Sequence, residues 1–137
     1  MERLLLGANV LFSAAYREGA GLLRLWDLPE AVVMTSGYAA EEARRNLETD
    51  AARVRLERLL SRTALVPEAP DVLLPASVRL PEKDRPVLRA AIAASASWLV
   101  TGDLRDFGAL LGKEVLGVRI EMPARVLVAL AHQPRKR

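Results

Sequence analysis

Cysteine is absent from this 137-residue chain, which excludes disulfides and thiolate metal sites. Histidine occurs once, as His132 in a tail-like stretch, so Ser–His or Cys–His catalysis has no well-placed base. Aromatic residues make up 4% of the chain, too few for recognition of single strands mainly by stacking. Trp98 is accordingly read as core rather than as a platform for bases. No apolar run reaches the roughly 18 residues of a membrane span. The opening MERLLLGANVLF has one acid and one base before its apolar run and no small-residue cleavage site, which argues against a signal peptide. A cytoplasmic protein without a membrane association is the simple reading. Lysine is scarce: of 20 basic residues three are lysines, Lys83, Lys113 and Lys136, leaving 17 arginines.

The residues present describe one domain, expected over 1–131, followed by the basic tail HQPRKR at 132–137. Apolar residues form 51% of the chain and charged residues 27%, a balance that favours a packed α/β core over disorder. The net charge of +3 admits nucleic acid as a partner. A coding bias toward Arg, Ala and Leu explains the same composition equally well. Along the chain, strands and helices alternate. Strands are expected at Leu4–Leu6, Ala31–Thr35, Thr63–Val66, Trp98–Thr101 and Val115–Ile120. Helices are expected at Asn9–Arg17, Ala20–Leu28, Ser36–Leu47, Thr49–Leu60, from Asp84 to Ala94, at Phe107–Leu111 and at Pro123–Ala131. Four prolines between Pro67 and Pro81 mark a connector with one short helical turn around Val72–Leu74. Alternation with right-handed crossovers predicts an α/β fold, a three-layer α/β/α sandwich around a five-stranded, mainly parallel sheet.

The stretch Lys83–Phe107, KDRPVLRAAIAASASWLVTGDLRDF, carries the most information. Pro86 fits only a first helical turn, where a missing N–H costs nothing, so a helix opens near Asp84. Trp98-Leu99-Val100-Thr101 reads as a strand buried on both faces. Gly102 then turns the chain and delivers Asp103, with Asp106 one turn on. In open parallel sheets the chemistry sits outside the carboxyl ends of the strands, where these acids fall.

At this point the chain resembles the PIN domains, metal-dependent nucleases that include toxin components of bacterial toxin–antitoxin pairs. The resemblance covers nearly the whole chain. Its strongest part is Lys83-Asp84-Arg85-Pro86-Val87-Leu88 followed by Leu99-Val100-Thr101-Gly102-Asp103 and Asp106-Phe107. Leu5-Leu6-Gly7-Ala8-Asn9-Val10-Leu11 looks like the family's first strand with its Asp-x-Asn signature, and Ser36 with Glu41-Glu42 looks like its second acidic site. One departure stands out: Gly7 occupies the place of the first aspartate. The resemblance implies Glu42, Asp84 and Asp103 as the catalytic acids and Asp106 as an auxiliary carboxylate. It also implies Asn9, Thr101 and Ser36 as supports. Glu42 sits six residues after Ser36, as the family pattern has it, and Glu41 is the alternative.

Such acids have a chemical reason to gather. Hydrolysis of an RNA phosphodiester needs an activated water and a neutralised developing charge, and Mg²⁺ or Mn²⁺ on carboxylates supplies both. On this reading Asp84, Asp103, Asp106 and Glu42 hold the metal, while Arg44 and Arg45 meet the RNA. A small antitoxin partner and a homodimer are implied by the resemblance alone. Each residue also has a plainer account. Asp84 serves as an ordinary N-cap, Asp103 sits in an ordinary turn, and Glu41 with the two arginines forms a solvated helix face. A catalytically silent PIN-like domain that binds RNA or a protein is the alternative function. A phosphoryl-transfer receiver domain also places acids at strand ends, but it wants a lysine at the site, and none of the three lysines is well placed at a strand end.

Overall fold

A computed structural model of the chain describes residues 1–131. His132 and the rest of the basic tail lie outside the described residues. Six strands form one sheet: β1 (Glu2–Leu6), β2 (Ala31–Ser36), β3 (Ala64–Val66), β4 (Trp98–Val100), β5 (Glu114–Val115) and β6 (Val118–Glu121). Six α-helices accompany them: α1 (Ala8–Tyr16), α2 (Gly37–Asn46), α3 (Asp50–Leu60), α4 (Arg85–Ala93), α5 (Leu104–Phe107) and α6 (Pro123–Ala131). The spatial order is β3-β2-β1-β4-β6-β5. Every pairing is parallel except that of β5 with β6.

Alternation along β1 shows why three layers form. Leu4 and Leu6 point into one core with Val10, Leu11, Ala43 and Leu56, beneath α1, α2 and α3. Leu5 points into the other core with Leu88, Ala91, Leu99 and Ile120, beneath α4. All three leucines are fully buried, as expected for a run with no polar face. Trp98 is core, as expected, with its indole N–H donating to Glu2 Oε1 at 2.8 Å.

The expected fifth strand, Val115–Ile120, is in fact a hairpin, which makes the sheet six-stranded. Leu116 (φ 47°) and Gly117 (φ 89°) both adopt left-handed backbone, the requirement of a two-residue type I′ turn. A leucine at the first of these positions hides the turn from a reading of residue types. Ala20–Leu28, expected as an α-helix, is a 3₁₀ helix over Gly21–Asp27. No helical turn forms at Val72–Leu74. The proline-rich connector instead carries Val78 and Leu80 into the second core. It must be long because it leaves β3 at the sheet's edge and returns past β2 and β1 to β4, with strands about 4.8 Å apart.

The order of strands also locates the site. From β1 the chain steps outward to β2 and β3, then returns to the other side of β1 with β4, so the direction of winding reverses between β1 and β4. A crevice opens at that switch point, outside the carboxyl ends of the strands. A receiver domain has the order 2-1-3-4-5, and the placement of β3 outside β2 excludes it.

Candidate metal centre

Gly7 follows the last residue of β1, and its N–H donates to Val100 O of β4 at 3.0 Å. It stands at the N-cap of α1 with no side-chain cap. Asn9, in the first turn of α1, accepts at Oδ1 from the Gly102 N–H at 3.2 Å. Thr101, buried at the end of β4, accepts at Oγ1 from the Asp103 N–H at 3.1 Å. Asn9 and Thr101 thus hold the Gly102-Asp103 turn from both sides. Asp103 caps α5, accepting from the Asp106 N–H at 2.9 Å through Oδ1. The turn reading of Asp103 is therefore correct for one of its oxygens.

Asp84 occupies the N-cap position of α4, yet its side chain caps nothing. Its Oδ2 is buried and has no hydrogen-bond partner among the described residues. Lys83 Nζ lies 3.3 Å from that oxygen, but not in the direction a hydrogen bond requires. An ionised oxygen with no donor is costly to bury, and burial, with Asp106 adding to it, pushes the Asp84 carboxyl up to about 6. The neighbouring Asp106 is held below the usual carboxylate range, chiefly by Lys83. Lys83 Nζ donates to Asp106 Oδ2 at 2.6 Å, and that bond holds the ammonium above the ordinary lysine range.

Asp84, Asp103 and Asp106 each bring one carboxylate oxygen into a group within 4.8 Å of one another. They come from the starts of two helices that the sheet brings together. Beside them a cleft of about 340 Å³ is lined by Gly7, Asn9, Glu42, Asp84, Thr101 and Asp103, among others. Glu42, half-buried on α2, therefore shares the cleft but stands outside the close trio. Glu41 is exposed on the same helix and does not line the cleft. Ser36 is fully buried and caps α2, accepting from the Ala39 N–H at 3.2 Å. Arg44 is taken up by Glu57, through bonds of 2.8 and 3.1 Å, and by Glu41 at 3.4 Å. Arg45 is exposed, and neither arginine lines the cleft.

Lys83, Tyr38 and Asn46 line the cleft as well, and none was singled out from sequence. Asn46 was within reach of that reading, because it lies four residues after Glu42 and so on the same helical face. Lys83 stands in the turn before a helix rather than at a strand end, so its place in the chain gives no sign of a site role. Tyr38 gave no signal. Its hydroxyl donates to Lys83 O at 3.0 Å and its backbone N–H to Glu68 Oε2 at 3.0 Å.

The donor set fits a hard divalent cation: several carboxylate oxygens at short range, one of them buried without a partner. Asp84, Asp103 and Asp106 could hold one.

No protein-family model and no curated protein matches this chain. Among solved structures it is similar to a chain in the crystal structure of VapBC2 from Rickettsia felis bound to a DNA fragment from their promoter. The TM-score is 0.57 at 15% identity, over 88% of this chain and 98% of that one. At that identity the likeness speaks for the fold, a PIN-like α/β/α sandwich. No helix among the described residues is long and apolar enough to cross a membrane.

Proposed function

We propose that this protein is a PIN-like, Mg²⁺- or Mn²⁺-dependent endoribonuclease whose activity is lowered by Gly7. The observation that carries the reading is the Asp84–Asp103–Asp106 trio at the switch point, with Asp84 Oδ2 buried and unpartnered. A bound divalent ion supplies an activated water and neutralises charge developing on the phosphate. The chain's own residues do the rest. Asp103 is positioned by Thr101 and, through Gly102, by Asn9. Glu42 lines the same cleft and, on this reading, orients water. The RNA backbone, on the same reading, enters the cleft that Glu42, Asp84 and Asp103 line.

A second reading has its own support. Gly7 offers no carboxylate, and Lys83 already sits on Asp106, so a catalytically silent domain that binds RNA or protein is the alternative. The solved neighbour is a complex on promoter DNA, and a small antitoxin partner belongs to either reading, as does a homodimer.

Mn²⁺ is expected to raise the melting temperature, because a ligand that binds only the folded state stabilises it by mass action. At ten times its Kd the gain is about 1.4 kcal/mol, roughly 4 °C for a domain of this size. Asp103→Asn should remove that gain in a thermal-shift titration. A response that persists in Asp84→Asn/Asp103→Asn places the metal elsewhere.

RNA affinity is expected to fall with salt as counterions are released. Because Arg44 is occupied by Glu57 and Arg45 is exposed, Arg45→Ala should reduce the salt slope by about one, while Arg44→Ala should change it less. Equal slopes for wild type and both variants would leave these arginines out of RNA contact.

A further inference from the structure

We propose that Lys83 is a built-in counter-cation of the acidic cluster, one that holds Asp106 and Asp84 until a divalent ion displaces it. The inference rests on the metal-site reading and concerns a residue that reading leaves without a role. Lys83 Nζ lies 2.6 Å from Asp106 Oδ2 and 3.3 Å from Asp84 Oδ2, between two of the three carboxylates placed to take the metal. Three carboxylates this close repel one another, and a cluster of that kind needs a cation or a shared proton. Lys83 supplies the cation from within the chain.

Geometry makes this contact reversible. The backbone of Lys83 is fixed, since its carbonyl accepts from Tyr38 Oη at 3.0 Å and the next residue, Asp84, donates its N–H to Pro81 O at 3.0 Å. The side chain, by contrast, is 63% exposed and reaches the cluster from the solvent side, so it swings away without giving up much burial. A divalent ion bound to Asp106 would sit at about 2.0–2.6 Å from its oxygen. An ammonium at hydrogen-bond distance from the same oxygen would then face it as a like charge at close range. The two cations compete, and the missing carboxylate at position 7 tilts that competition toward the lysine by removing one negative charge that would favour the divalent ion.

The test is the Mn²⁺ affinity of the full chain, read from the spin-resonance signal of free Mn²⁺, for wild type, Lys83→Met, Lys83→Gln and Asp103→Asn. An opposite charge within about 4–6 Å typically changes a carboxylate's affinity for a proton by one unit or more, so both Lys83 variants should bind Mn²⁺ about tenfold more tightly. Their melting temperature without metal should fall below wild type, and saturating Mn²⁺ should close the gap. Equal or weaker Mn²⁺ binding in the Lys83 variants, with wild-type binding lost in Asp103→Asn, would overturn the role of Lys83 and leave the metal site standing. Mn²⁺ binding that Asp103→Asn does not weaken, or no binding in any of the four proteins, would overturn both. Should one Lys83 variant fail to fold, the other carries the comparison.

Discussion

Gly7→Asp is expected to raise Mn²⁺-dependent RNA cleavage by about a hundredfold, the scale at which a misplacement of about 1 Å in an active site is felt. Space for the side chain exists. A Cβ at position 7 would meet Val100 O at 3.5 Å and Asn9 Oδ1 at 3.7 Å, both ordinary contacts. The backbone there is extended, with φ −74° and ψ 167°, a conformation open to any residue. The position lies on the cleft that Asp84 and Asp103 also line, so the new carboxylate adds a ligand and a negative charge. At the uncapped start of α1 an aspartate also gains a few tenths of a kcal/mol over glycine. Without metal that gain is opposed by repulsion from Asp84, so metal-free stability should change little while metal affinity rises. Adding Asp103→Asn to the Gly7→Asp protein should silence cleavage again. Both proteins would be assayed on the same single-stranded RNA with Mn²⁺. Equal rates for wild type and Gly7→Asp would show that position 7 is not a ligand position. No cleavage by either would favour the silent binding domain.

What the sequence made legible follows from how strongly each position is constrained. Leu4-Leu5-Leu6 and Trp98-Leu99-Val100 announce themselves because a strand buried on both faces tolerates no polar residue. Pro86 marks the start of α4, and Pro123 that of α6, because proline is tolerated at a helix's first turn and not beyond. From such marks the layers, the mainly parallel sheet and the edge that holds the acids were all readable. The β5–β6 hairpin was not, because its turn places Leu116 where the backbone favours glycine or asparagine.

The site divides in the same way. Asp84, Asp103 and Asp106 are brought together by the sheet, and their positions at a helix start and just past a strand were visible in the order of residues. The use each makes of its oxygens was not. Asp84 and Asp103 both stand at N-cap positions, yet only Asp103 caps its helix. The difference lies in the backbone: Asp103 is extended (φ −85°, ψ 90°), as an N-cap that turns its side chain back on its helix must be, whereas Asp84 ends a 3₁₀ turn and is already helical (φ −100°, ψ −10°). Lys83 escaped for a related reason. Its backbone belongs to a 3₁₀ turn outside the sheet, and only the length of its side chain carries the charge to Asp106. Arg44, placed against RNA by its nearness to Glu42, is instead engaged by Glu57 of α3. A contact between two helices leaves no trace in the spacing along either one.

The metal-free protein is expected to lose stability as pH rises from about 4 to above 6, and Asp84→Asn should abolish most of that loss. The sign follows from the direction of the shift. Asp84 is raised from 3.8 to about 6 in the folded chain, so between those values the folded state binds a proton that the unfolded state has released. Its stabilisation is fully present below 3.8 and is lost as pH passes through about 6. At full value the shift corresponds to about 3 kcal/mol, and partial access of solvent to the carboxyl reduces this to about 2 kcal/mol, or some 6–8 °C in melting temperature. Asp106 acts in the opposite sense and in a different window. Its carboxyl is held low by Lys83, so its contribution is present above about 4 and lost only in stronger acid. Melting temperatures from pH 4.5 to 7.5 therefore isolate Asp84. At pH 7 without metal, Asp84→Asn should melt higher than wild type, because it no longer buries a charge whose desolvation outweighs the attraction of Lys83. Adding Mn²⁺ should reverse the order, since the ionised Asp84 is then the better ligand. Parallel pH curves for the two proteins would mean that Asp84 is ionised throughout and compensated by some other group. A reversal with Mn²⁺ at pH 7 would tie the buried, unpartnered oxygen to the cation it is placed to receive.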